Sequence, residues 1–391
     1  MADGVVEGAP SREQLIHSLY EAAELEHNLM CTYLYAAFSL KSADEGLSEI
    51  EADAVGRWRR QITQVAIEEM GHLAAVWNIT AALGGQPRFG RGNFPLERGS
   101  LPAGIVVKLA PFNEDVLQHF VHLERPIGSQ EPEGEGFAPE RIFTRDTGQR
   151  GRLTPMPVDY ETVGVFYEHI GQVLRTFSAQ HGETNAFCGD PALQLSAAEL
   201  DLGGAKPVLC LKTALQAFDA IVTQGEGASA DSEDSHFQRF AAIRAEYRKL
   251  KAANPAFTPA HLAATNPVLR KPPTPAGKVW LENAEAIATV DLANSCYQLM
   301  LRLMGYAYAI PRPNPEKGVA LDLGIALMRA CTLLGERAAR LPAGPSNPGC
   351  NAGMSFTALR DSAPFARGPA ARRFFIERLE EFAAAAGVMA R

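Results

Sequence analysis

The chain has 391 residues, 46% of them hydrophobic and 21% charged, which is ordinary for a globular protein. A net charge of −8 argues against a general binder of nucleic acid or anionic membrane, and no apolar run reaches the ~18 residues of a spanning helix. The first residues carry neither the basic nor the apolar region of a signal peptide. Six cysteines without paired short spacing suggest reduced, buried thiols in a cytoplasmic protein, not a disulfide frame or a zinc site.

Taken in order, the hydrophobic pattern predicts a mainly α chain. Residues 11–41 read as a first helix, with Ser11 and Gln14 as a capping box and a stripe through Leu15, Leu19, Ala22, Leu29, Met30 and Tyr33. Glu26 interrupts that stripe; His27 and Glu24 fall off it and read as surface residues. Residues 55–83 read as a second helix, ended by Gly84-Gly85. Then come a Gly/Pro-rich segment, a short strand at Ile105–Leu109, a short helix at 114–124, and a long irregular cover, with a hairpin in it, to Asp159. A third helix is expected at 160–179. A fourth starts near Val208, breaks at Gly225-Glu226-Gly227 and resumes after Ser235, an N-cap. Three more are expected at 279–309, 317–340 and 369–388. Together these suggest a single domain: a first helix pair (11–84), a cover (85–159), a second pair (160–253) and a C-terminal helical extension (254–391).

The chemistry concentrates in Glu68-Glu69-Met70-Gly71-His72. Glu69 and His72 are three residues apart, so on a helix they share a face. Ile62, Val65, Val76 and Ile79 lie on that same stripe, so an acid and an imidazole sit in an apolar seam. An unpaired charge there would cost several kcal/mol or more. A metal ion removes that cost, and Glu-x-x-His is how helical bundles hold di-iron or di-manganese sites. A buried Glu–His hydrogen bond without metal is the alternative.

Glu26, Glu226 and His236 extend the set, with Glu69 and Glu226 as bridges and each histidine on one metal. An edge ion pair for Glu26 and an exposed turn for Glu226 are the bland alternatives. Helix three should add a ligand, and Glu168 is its nearest carboxylate, although helical phase sets it opposite the apolar stripe. Glu161 and His169 are weaker candidates. Tyr33 either hydrogen-bonds a ligand or relays an electron, or belongs to the core. His119 and His122 share a face but lack a third zinc ligand.

Glu24-Leu-Glu-His27, Tyr33-Leu-Tyr35 and Glu68-Glu-Met-Gly-His-Leu73 resemble the ferritin-like superfamily. Further segments, among them Asn78–Pro87, His122-Leu-Glu-Arg-Pro126, Gly164-Val-Phe-Tyr167, Gln224-Gly-Glu-Gly227, Ser235–Phe240 and Ala352-Gly-Met-Ser-Phe356, resemble the ferritin-like region of the iminophenyl-pyruvate dimer synthase family, whose members make violacein- and rebeccamycin-type pigments. The resemblance implies a decorated four-helix bundle with a first half-site of Glu26, Glu69 and His72 and a second of Glu226 and His236. It implies two irons per chain, or manganese, and an oxidoreductase that uses dioxygen or peroxide on a small, amino-acid-derived substrate. The pigment enzymes are longer chains whose coupling has been associated with haem, and no separate haem motif occurs here. Some relatives carry an acid in the Gly-x-Phe-Tyr segment where this chain has Val165. No nucleic-acid or membrane partner is expected, and a homodimer is compatible. An iron-handling protein without organic substrate and a catalytically silent pathway partner are the alternatives.

Overall fold

The computed structural model describes residues 10–96, 101, 105–138, 160–225, 234–273, 279–359, 365 and 367–389. Its helices are α1 (Arg12–Ser39), α2 (Glu49–Ala82), α3 (Glu114–Leu123), α4 (Val163–His181), the single turn α5 (Glu183–Ala186), α6 (Leu211–Gln224), α7 (His236–Ala253), α8 (Ala284–Tyr308), α9 (Pro315–Arg340) and α10 (Pro369–Met389).

Local chemistry sets most helix starts. Ser11, Asn113, Thr162, Ser235, Asn283 and Asn314 each accept a backbone N–H of the first turn of the helix that follows. α2 begins six residues before the expected Val55, because Ser48 and Glu51 form a reciprocal capping box. Gly84, at φ +81°, ends it as expected.

α1 packs along α2, and two further pairs pack on them. α4 and α6, expected within the second pair, pack on each other and against α1 and α2. α7, expected to continue the helix of α6, instead pairs with α3 and joins α2, so the segment expected to be part of the cover supplies a helix to this packing. α8 and α9 form a further pair against α1, and α10 lies on α8.

No strand occurs among the described residues, only isolated bridges. Ile105–Leu109 is extended, but the Leu109 backbone pairs with the loop residue Asn266, through the side-chain oxygen and the N–H of that residue (2.9 and 2.8 Å). With a loop rather than a strand alongside, no ladder propagates. The hairpin expected in the cover falls largely on residues 139–159, outside the described residues.

The insertion between α5 and α6 is pinned to α2. The buried Asn78 amide donates to the carbonyls of Leu195 and Lys206 (2.9 Å each) and accepts the Leu195 N–H (2.9 Å). Two turns earlier, Gly204 lies on the α2 backbone: a Cβ at that position would fall 1.7 Å from the Gly71 carbonyl oxygen. Only glycine allows this approach, one residue from His72.

Candidate metal centre

Four acids or imidazoles from the core helices meet in the middle of the bundle, with a fifth from the end of α3. α1 supplies Glu26, α2 supplies Glu69 and His72, α7 supplies His236 at its first position, and Glu124 caps the C-terminus of α3. All five are buried, none more than 3% exposed. Two ligand groups form, Glu26–Glu69–His72 and Glu69–Glu124–His236, and in each the donor atoms lie within 4.8 Å of one another. Glu69 belongs to both.

The distances show how it is shared. Glu69 Oε2 is 3.0 Å from His72 Nδ1, and Oε1 is 3.0 Å from His236 Nδ1. Glu26 Oε2 is 3.4 Å from His72 Nδ1, and Glu124 Oε2 is 3.5 Å from His236 Nδ1. The two imidazoles stack with centroids 5.6 Å apart. The arrangement is thus one shared carboxylate, Glu69, flanked by two carboxylate–imidazole pairs.

A ring of further groups turns these donors inward. The Tyr167 hydroxyl donates to Glu26 Oε1, and the Tyr33 hydroxyl donates to Glu124 Oε1, so each terminal carboxylate keeps one oxygen for the centre. The Nε2 of His72 faces Gln224 Oε1 at 3.3 Å, and that of His236 faces Glu68 Oε2 at 2.9 Å. Both rings therefore carry their proton on Nε2 when neutral and offer Nδ1 to the centre. Arg239, one turn along α7 from His236, holds both Glu68 oxygens at 2.9–3.0 Å.

Electrostatics tie the groups together. Burial, then the Glu69 charge, pushes Glu26 up to about 8. Burial opposes charging His72, but Glu69 and Glu26 outweigh it and raise the ring to about 10. His236 likewise rises well above the ordinary imidazole value, burial being overcome by Glu124 and Glu69. Burial also opposes ionisation of Glu69, and the two histidines hold its carboxyl well below the usual range. Even so, Glu26 Oε2, Glu69 Oε1, Glu124 Oε2 and His236 Nδ1 are buried without a properly formed hydrogen bond. Four lone-pair donors aimed at one another and left unsatisfied fit a pair of cations, and mixed oxygen and imidazole donors suit iron or manganese.

Of the residues expected from sequence, Glu26, Glu69, His72 and His236 are brought together, and Tyr33 touches a donor. Glu168 is not: it is exposed, as are Glu161 and His169, because α4 buries Val163, Phe166, Tyr167, Ile170 and Leu174 on the opposite side. The carboxylate expected of it comes from Glu124. Glu226 lies outside the described residues. His27, expected at the surface, is buried, its Nε2 2.5 Å from the Tyr297 hydroxyl.

The signal for Glu124 was present. It follows Leu117, Phe120 and Val121 at helical spacing, an acid interrupting an apolar stripe as Glu26 and Glu69 do. Nothing in the sequence distinguishes Tyr167 from a core tyrosine. Glu68 and Gln224 carry no helical-phase signal either, since they act across helices.

A family model described as ferritin-like matches residues 19–245. The 2-imino-3-(indol-3-yl)propanoate dimerase of Chromobacterium violaceum is 27% identical over 379 residues, spanning 87% of this chain and 34% of its own length. The dichlorochromopyrrolate synthase of Lentzea aerocolonigenes is 24% identical over 418 residues, 96% of this chain and 39% of its own. The chain thus spans little more than a third of the curated relatives it matches. A solved ferritin-like protein from Caulobacter vibrioides aligns over 82% of this chain and 96% of its own, at a TM-score of 0.48 and 18% identity.

Proposed function

The chain belongs to the ferritin-like family, and from that premise we propose that it is a non-haem di-iron oxidoreductase of specialised metabolism, acting on a small, indole-derived or related amino-acid-derived substrate in the cytoplasm. The observation that carries the reading is the pair of buried carboxylate–histidine groups sharing Glu69. The names of the relatives support the substrate class, and six cysteines without a disulfide agree with a reducing compartment.

Glu26 with His72, and Glu124 with His236, would each hold one metal, with Glu69 between them. Two irons so held would supply redox chemistry toward dioxygen or peroxide. Tyr33 and Tyr167 hold the outer oxygens of the terminal carboxylates and keep those groups from rotating away. They are also the nearest groups able to exchange a proton with Glu124 and Glu26, and Tyr33 is the residue we assign to that task. Glu68 and Gln224 fix the two imidazoles. The aromatic wall of Tyr33, Phe120 and Phe240, with ring centroids 4.7–5.0 Å apart, keeps water from that side.

Glu226, expected from the sequence as a second bridging ligand, lies outside the described residues; we keep it as a proposed ligand, and Glu226→Ala should lower metal content.

The functional test is single-turnover dioxygen uptake by the Fe(II)-loaded chain, with and without aromatic 2-imino acids. Faster uptake with loss of the organic compound is expected. Uptake unchanged by every such compound would leave iron oxidation alone and overturn the substrate reading.

A further inference from the structure

α9 is apolar on two faces. Its inner face, with Leu321, Leu327 and Cys331, is buried. A helix apolar all round is ordinarily covered all round. The outer face carries Val319, Leu323, Ala326, Ala330 and Leu333, spaced four, three, four and three residues apart, the heptad spacing of a helix–helix seam. Val319 is 57% exposed and Leu333 69%; Ala326 is exposed, and Leu323 and Ala330 are half-exposed. By length and composition α9 could also cross a membrane.

The charges beside the stripe name the occupant. Asp322 and Arg329 lie on the same edge, one heptad or about 10.5 Å apart. Both are exposed, they are too far apart on one helix to pair with each other, and neither has an ion-pair partner among the described residues. We propose that the outer face of α9 is a two-fold interface, pairing antiparallel with α9 of a second copy of this chain.

In antiparallel register, the layer that sets Leu323 against the partner's Ala326 also sets Val319 against the partner's Ala330, so large meets small at each step. The same register places Asp322 opposite the partner's Arg329, and the two-fold repeats that contact. A parallel pairing would set equivalent residues abreast, Leu333 on Leu333 and Ala326 on Ala326, and leave both charges unmatched. In this register the paired layers run from Val319 to Ala330, about 17 Å, with Leu333 beyond them beside the partner's Glu316. With two alanines in it, this is a small interface, and association of roughly micromolar strength is expected.

The test is sedimentation velocity of the full chain across the micromolar range, with Asp322→Arg and Arg329→Asp as variants. Both positions are exposed, and unchanged helicity by circular dichroism checks folding. The native chain is expected to dimerise with rising concentration. Each single variant sets like charges opposite one another and should weaken the dimer about tenfold or more. An equimolar mixture of the two variants should form a heterodimer, and the doubly exchanged chain should recover native dimerisation. A chain monomeric at every concentration, or a dimer indifferent to both variants, overturns the proposal. So does a monomer that sediments with phosphatidylcholine vesicles, which would assign the face to a membrane.

Discussion

Loading this centre with metal is expected to release about three protons per chain at pH 7. Burial and the Glu69 charge set Glu26 at about 8, and the facing carboxylates, against burial, set His72 at about 10 and His236 well above its ordinary value. All three therefore hold a proton at neutral pH, and each must lose it before its inward atom can bind a cation. Every such proton changes the binding constant tenfold per pH unit, about 1.4 kcal/mol. The combined affinity for two ions should thus fall about a thousandfold from pH 7 to pH 6. Above pH 8 the dependence should weaken by one proton, because Glu26 is then already ionised. Calorimetric titration of the metal-free chain with Mn(II), in buffers of different ionisation enthalpy, counts the protons directly. Release of fewer than one proton, or pH-independent affinity, would refute the reasoning.

The same shifts set the stability of the metal-free chain. A carboxyl raised from 4.5 to about 8 and an imidazole raised from 6.5 to about 10 favour the folded state only while protonated. Thermal unfolding should therefore show the contribution of these groups falling as pH rises from about 4.5 through 10, Glu26 losing its part up to about 8 and His72 from about 6.5 to 10, and metal should abolish that fall. Glu124→Ala should remove at least one metal by elemental analysis, while Glu168→Ala, at an exposed site, should change neither metal content nor stability by more than about 0.5 kcal/mol. Tyr33→Phe and Tyr167→Phe should each keep two-metal stoichiometry and weaken affinity by about 10–100-fold in metal-competition titrations. Gly204→Ala should lower the urea midpoint, by about 1–3 kcal/mol of overpacking against the Gly71 carbonyl, with the slope unchanged.

Legibility from sequence followed the range of the interaction that fixes each residue. Glu69 and His72 were readable because their spacing and their apolar neighbours lie on one helix. Ser11, Ser235 and Gly84 were readable because caps are local. The pairing of α3 with α7 was not. The ten residues of α3 sit inside a loop-rich stretch and are held by α7, more than a hundred residues on, so Glu124 was left out. Glu168 was drawn in because α4 was expected to supply a carboxylate. Phase along α4 already pointed Glu168 outward, and that local argument was the sounder one. Tyr167, Glu68 and Gln224 depend on contacts across helices, which no single-helix pattern contains.

The most direct test of the central claim is metal content after growth with iron and manganese, measured on the native chain and on Glu69→Ala. Because Glu69 serves both groups, the native chain should hold two metals and the variant should lose both, while remaining helical. A native chain without metal, or a Glu69→Ala chain that keeps one metal at full occupancy, would contradict a shared two-metal centre.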